Sequence, residues 1–187
     1  MSQLSLYGDK TPLHPFPRKI HGRAEFSIDL RYRYRLDRWW APERGTLLWI
    51  LLNPSIAGAE ESDRTIEQVI HFTWRENFGR FVAVNLFALV STSPALLTAP
   101  AEPEPVGELA DKFIREALVE SQRVVVAWGV APVHPAASPR TRGRDKVVLE
   151  ILGDRELYCL GTTKSGAPKH PCRLAKATPM ERWPRAA

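Results

Sequence analysis

Cysteine is nearly absent from this chain of 187 residues: Cys159 and Cys172 are the only two, and they form no CxxC pair. Two thiols cannot supply the four ligands of an iron–sulfur cluster or an all-cysteine zinc site, so they read as ordinary reduced thiols. No apolar run approaches the roughly 20 residues that a membrane span requires, and the first residues lack the apolar h-region of a signal peptide. The expectation is therefore a cytoplasmic protein with no membrane contact. Neither GxxxxGK[ST] nor GxGxxG occurs, which removes the usual glycine-rich phosphate cradles. No metal or cofactor is expected. Aromatic residues are missing from 54–71, a gap that matters below.

What is present suits one globular domain over residues 1–187, with 44% hydrophobic residues to fill a single core and extended or flexible ends at 1–23 and 177–187. Charge is unevenly placed. Residues 1–40 carry 8 Lys+Arg against 4 Asp+Glu, residues 41–120 carry 6 against 12, and residues 121–187 carry 12 against 5. A basic front and rear, with a sequence pI near 9.5, favour a polyanionic partner such as nucleic acid.

Hydrophobic periodicity gives the elements. Residues 26–36 alternate strictly, predicting a half-buried strand with Phe26, Ile28, Leu30, Tyr32, Tyr34 and Leu36 inward and Arg31, Arg33 and Arg35 on an outer face. LLWILL (47–52), FVAVN (81–85), VVVAWG (124–129) and ELYCL (156–160) read as strands, the first and third covered on both faces. Between them lie a helix capped by Ser62 or Asp63 and stopped at Gly79, a helix over 107–121, and a short helix over 147–152 ended by Gly153. Strands alternating with helices predict an α/β fold, a mainly parallel sheet with helices on both faces. Such sheets bind ligands beyond the carboxyl ends of their strands. Asn53-Pro54-Ser55, Asn85, Trp128-Gly129 and a loop with Lys164, Lys169 and His170 all fall there.

These segments, LLNPS (51–55), VAVNLFALVS (82–91), VVVAWGVAP (124–132) and KHPCRL (169–174), resemble in order the motifs of the uracil-DNA glycosylase superfamily. There one strand ends in G-Q-D-P-Y or G-I-N-P-G, a second in an L-L-N-T-V-L-T-like segment, a third in L-L-W-G, and a late loop reads H-P-S-P-L-S. The likeness covers roughly residues 47–175 and points to a divergent bacterial branch sharing LNPS, NLFA, AWG and HP. It implies a three-layer α/β/α fold and a monomeric, monofunctional DNA glycosylase that needs no cofactor. The partner would be double-stranded DNA with a modified or damaged base, hydrolysed from its sugar to leave an abasic site.

Carried over residue by residue, the resemblance makes Asn53 the group that orients the attacking water. Asn85 reads the edge of the extruded pyrimidine, and His170 stabilises the departing base. Pro54, Ser55, Phe87 and Trp128 would line the base pocket. Leu174 would wedge into the duplex, while Arg173 and the basic positions Arg140, Arg142, Arg144, Lys164 and Lys169, with Lys176, would grip phosphates.

Two departures stand out. The tyrosine that gates the pyrimidine 5-position in uracil enzymes is replaced by Ser55, followed by Ile56, Ala57, Gly58 and Ala59. This suggests a bulky 5-substituent, hydroxymethylated or glycosylated as in some phage genomes, and a role in anti-phage defence. The stacking aromatic after the first motif is also missing, so Phe72, Trp74, Phe87, Trp39 or Trp40 would substitute. Glu60, Glu61 and Asp63 read first as helix-start carboxylates that complement the dipole, with sugar hydroxyls, an exocyclic amine or a metal as the other ligands such a cluster could take. Two other functions stay open on sequence: a hydrolase or transferase of free nucleotides, and a non-catalytic nucleic-acid-binding module.

Overall fold

The computed structural model describes residues 12–55, 62–130 and 138–184. One seven-stranded sheet organises them. Its strands are β1 (His21–Phe26), β2 (Arg33–Trp39), β3 (Thr46–Leu51), β4 (Arg80–Asn85), β5 (Arg123–Val126), β6 (Leu157–Cys159) and β7 (Glu181–Arg182), in the spatial order β1-β2-β4-β3-β5-β6-β7. The α-helices are α1 (Arg64–Arg75), α2 (Ala110–Val119) and α3 (Arg144–Leu152). The fold is α/β, and the sheet is mixed. Pairings β4–β3, β3–β5 and β5–β6 are parallel, while β1–β2, β2–β4 and β6–β7 are antiparallel. The expected parallel character is confined to the inner strands, because both ends of the chain add antiparallel edges. Residues 21–23 and 181–182, anticipated as flexible ends, are part of those edges. No described helix is long and apolar enough to cross a membrane.

Side-chain alternation along the buried strands sorts the core into two layers. Leu48, Ile50, Val82, Val84, Val124 and Val126 meet Ile114 and Ala117 of α2 and Val148 and Leu152 of α3. Leu47, Trp49, Phe81, Ala83 and Val125 meet Ile66, Val69, Ile70 and Phe72 of α1 on the opposite side. Each such side chain contributes about 1.5–3 kcal/mol by leaving water. The chain leaves β3 for α1 on one face and leaves β5 for α3 on the other. The carboxyl ends of these neighbouring strands therefore form a switch point, where loops diverge.

Two local expectations fail for identifiable reasons. Helix α1 starts as foreseen, with Asp63 Oδ1 accepting from Ile66 N at 2.8 Å, but it stops at Glu76, and Asn77 takes the left-handed turn at φ +64°. Gly79 serves packing instead: a Cβ there would lie 1.7 Å from the carbonyl oxygen of Ala41. The strand over 26–36 is interrupted. Ile28 is fully exposed and Leu30, at φ +59°, sits in a turn. Beyond it, Glu25 pairs with Arg35 but Phe26 pairs with Arg33, so Tyr34 is one residue too many on β2. This bulge shifts the alternation. Arg33 and Arg35, expected on an outer face, are 2% and 5% exposed.

Candidate active site

The site is built at the switch point. Directly after β3, Leu52 O accepts from Phe87 N at 3.0 Å and Pro54 O accepts from Ser91 N at 2.9 Å, lashing the NPS turn to the segment that follows β4. Asn53 is fixed within this lashing. Its Nδ2 donates to Ser91 O at 2.8 Å and to Pro54 O at 3.1 Å. Both amide hydrogens are thus committed to the protein. No hydrogen bond from the described residues reaches Oδ1, which is left to accept from a water. That polarity suits water positioning and not proton abstraction.

Asn85 is the last residue of β4, opposite Leu51 in the parallel register. Phe81 and Ala83 face α1, so two-residue alternation sends Asn85 to that face too. It is 4% exposed, and neither Nδ2 nor Oδ1 has a hydrogen-bond partner among the described residues. A buried polar group without a partner costs about 1–3 kcal/mol. An amide left wanting both a donor and an acceptor is matched to a ligand edge that offers the complementary pair.

His170 reaches the same end of the sheet through Gly129. At φ +78°, a conformation that glycine adopts without a Cβ penalty, Gly129 turns the chain off β5 and donates its N–H to Pro168 O at 2.8 Å. A Cβ placed on Gly129 would lie 3.8 Å from that of His170. The imidazole caps the 3-10 turn Pro171–Arg173, its Nδ1 accepting a long 3.5 Å bond from Cys172 N. The proton of the neutral ring therefore sits on Nε2. Burial lowers the His170 pKa, partly offset by the carboxylate of Asp63. A neutral imidazole presenting an Nε2–H donor is the result.

Asp63 joins the group through Ser55, whose hydroxyl donates a short bond to Asp63 Oδ2. Arg33 lies within the same electrostatic field. Burial brings its guanidinium pKa down to about 10, opposed by Asp63 and reinforced by Arg38. The sequence pattern missed Arg33, whose bulged strand hides its direction, and it favoured a capping role for Asp63 over contact with a ligand. The acidic side chain ten residues after Asn53 was the available signal.

Other expected members fall elsewhere. Phe87 is wholly buried on the α2 and α3 side of the sheet. Trp128 points to the same side and meets Trp183 edge to face at 5.7 Å. Neither shares the face of Asn85: Trp128 continues the alternation of Val124 and Val126, whereas Phe87 departs from that of Phe81, Ala83 and Asn85 once β4 has ended. Among the other stacking candidates, Phe72 is enclosed in the core, Trp74 packs on Phe16, Trp39 stacks on His21, and Trp40 hydrogen-bonds through its backbone to Gly79, ahead of β4. Residues 56–61, with the small-residue gate and Glu60 and Glu61, lie outside the described residues.

The basic loop is also partly committed to the fold. Arg144 is buried, donating from Nε to Leu86 O at 2.8 Å and from Nη2 to Asp111 at 2.5 Å. Arg140 donates to the backbone carbonyls of Ala99, Glu102 and Pro103. These two tie loops together instead of facing a phosphate. Leu174, the expected wedge, packs against the α1 side of the core. Arg142, Lys164, Lys169, Arg173 and Lys176 are exposed. A cavity of about 740 Å³ opens between α3 and residues 165–168. Asp145, Glu150 and Asp154 on its walls make it unsuited to a phosphate backbone.

A model of a family described as a protein of unknown function (DUF1643) matches residues 33–172. The chain belongs to this family. The match spans about three quarters of the sequence and includes Arg33, Asn53, Ser55, Asp63, Asn85 and His170, while Arg173, Leu174 and Lys176 lie beyond it. No curated protein and no solved structure matches the chain.

Proposed function

We propose that this protein is a DNA glycosylase that extrudes a pyrimidine from the duplex and hydrolyses its N-glycosidic bond. The observation that carries the reading is Asn85, an amide buried at a strand end with both hydrogen-bonding atoms unpaired. Asn53 on the adjacent strand supports it with a free acceptor, and His170 with a neutral donor. In this reading Asn85 grips the edge of the flipped base. Asn53 Oδ1 holds a water beneath the anomeric carbon, and His170 Nε2–H bonds the base oxygen on which charge accumulates as the bond breaks.

The three-layer, mainly parallel architecture of the uracil-DNA glycosylase superfamily belongs to the same proposal. It draws on the four inner parallel strands, with α1 on one side and α2 and α3 on the other. Exposed Arg142, Lys164, Lys169 and Lys176 grip the phosphates, and Arg173, exposed beside the half-buried Leu174, takes the wedge role. The enzyme works as a cytoplasmic monomer without a cofactor. Its substrate is a 5-modified pyrimidine, since Ser55 stands where uracil enzymes place a tyrosine, and removing such bases defends against phage.

The test is incubation with duplexes carrying cytosine, uracil or glucosylated hydroxymethylcytosine, followed by alkaline cleavage at abasic sites. Cleavage of the glucosylated duplex is expected, abolished in Asn53→Ala while DNA binding persists. Preference for plain uracil would defeat the modified-base assignment, and intact strands throughout would defeat the glycosylase reading.

A further inference from the structure

Hydrolysis by such a site leaves one requirement unmet. The sugar becomes cationic as the base departs and the incoming water must lose a proton, yet Asn53 can neither carry negative charge nor accept that proton. The carboxylate tied to the strand-end turn is Asp63. Its Oδ2 accepts from Ser55, two residues beyond Asn53, and its Oδ1 accepts from Ile66 N. A carboxylate has about four lone-pair sites, so two such bonds orient it without exhausting it. A second, independent mark that a ligand docks on this face is Asn85, 4% exposed and unpaired in both amide atoms.

We propose that Asp63, at the cap of α1, is the catalytic carboxylate of this protein. The inference rests on the glycosylase reading. The bond between the base nitrogen and the anomeric carbon breaks with its electron pair leaving on the base, held by Asn85 and His170. The water fixed by Asn53 bonds to the anomeric carbon, and its proton passes to Asp63 and then to solvent, while the base takes a proton from solvent. Asp63 acts electrostatically on both His170 and Arg33, which places its charge within the constellation.

Asp63→Asn isolates that charge, because asparagine caps a helix as well as aspartate does, and the amide nitrogen that then faces Ser55 can donate to its hydroxyl oxygen. Single-turnover release from the glucosylated duplex is compared with binding to the same duplex carrying a 2′-fluoro sugar at the target, and with the thermal midpoint. The expected result is a loss on the order of 100-fold in release, with binding and midpoint unchanged. Release by Asp63→Asn within about threefold of wild type, or a fall matched by weaker binding, overturns the assignment. No release by the wild-type chain from any duplex overturns the glycosylase reading and this assignment with it.

Discussion

Two buried polar regions lie toward opposite helices of the same sheet, and they are built on opposite terms. Near α2, Arg35 is held by Asp37 at 2.7 and 2.8 Å and by Glu120 at 2.5 Å, and Arg80 bonds the same two carboxylates at 2.7 and 2.9 Å. That ring is closed. Near α1, Asn85 is as deeply buried yet bonds to nothing, and Asn53 turns a bare oxygen outward. Charges that satisfy one another hold elements together; polar atoms kept apart from partners are held ready for something that is not part of the chain.

Four measurements sharpen or break this contrast. The largest effect is expected from Asp37→Ala, which leaves two guanidinium groups sharing Glu120 alone and should cost about 3 kcal/mol in denaturant unfolding. In the open region, Asn85→Leu removes no hydrogen bond. It should leave stability unchanged or raise it by about 1 kcal/mol, while base release disappears. A loss as large as that of Asp37→Ala would erase the distinction. Asp63→Ala should cost about 1 kcal/mol through the lost cap, and Asp63→Asn only a few tenths.

The smallest difference lies in pH dependence. Burial pushes the Asp37 and Glu120 carboxyls up, but Arg35 and Arg80 outweigh it and hold both below their ordinary values of 3.8 and 4.5. Their stabilisation is complete above those values and fades only as pH falls through the lower folded ones. His170 acts with the same sign in a higher pH window. Its pKa is lowered from 6.5, so the unfolded chain takes the proton first and stability declines as pH drops through that range. His71, also lowered by burial, adds a slope of the same sign. The decline in denaturant midpoint between about pH 7.5 and 5 should therefore be shallower, not flat, in His170→Asn.

The inner strands were readable because a strand covered on both faces must be apolar throughout, and LLWILL and VVVAWG have few other uses. The cap of α1 was readable because an orphan N–H needs an acceptor at one position. The edges were not. Nothing in the pattern of 26–36 reveals an extra residue at Tyr34, since a bulge conserves composition while reversing direction. Asn53, Asn85 and His170 could be named from their places at strand ends. Phe87 and Trp128 could not be excluded, because the face that a residue adopts past the last ladder bond depends on the loop. Arg140 and Arg144 looked like phosphate ligands for the same reason that they make good staples: a guanidinium binds carbonyls as readily as anions.

The bulge at Tyr34 has an outcome larger than its size. By adding one step to the strand, it sends successive arginines to opposite sides, one toward Glu120 and the other toward Asp63. Were Tyr34 instead paired in a regular ladder, the two-residue alternation of a strand would turn Arg33 and Arg35 to the same side. A change in the register of β2 would then redistribute charge across the sheet without substituting Asn53, Asn85 or His170.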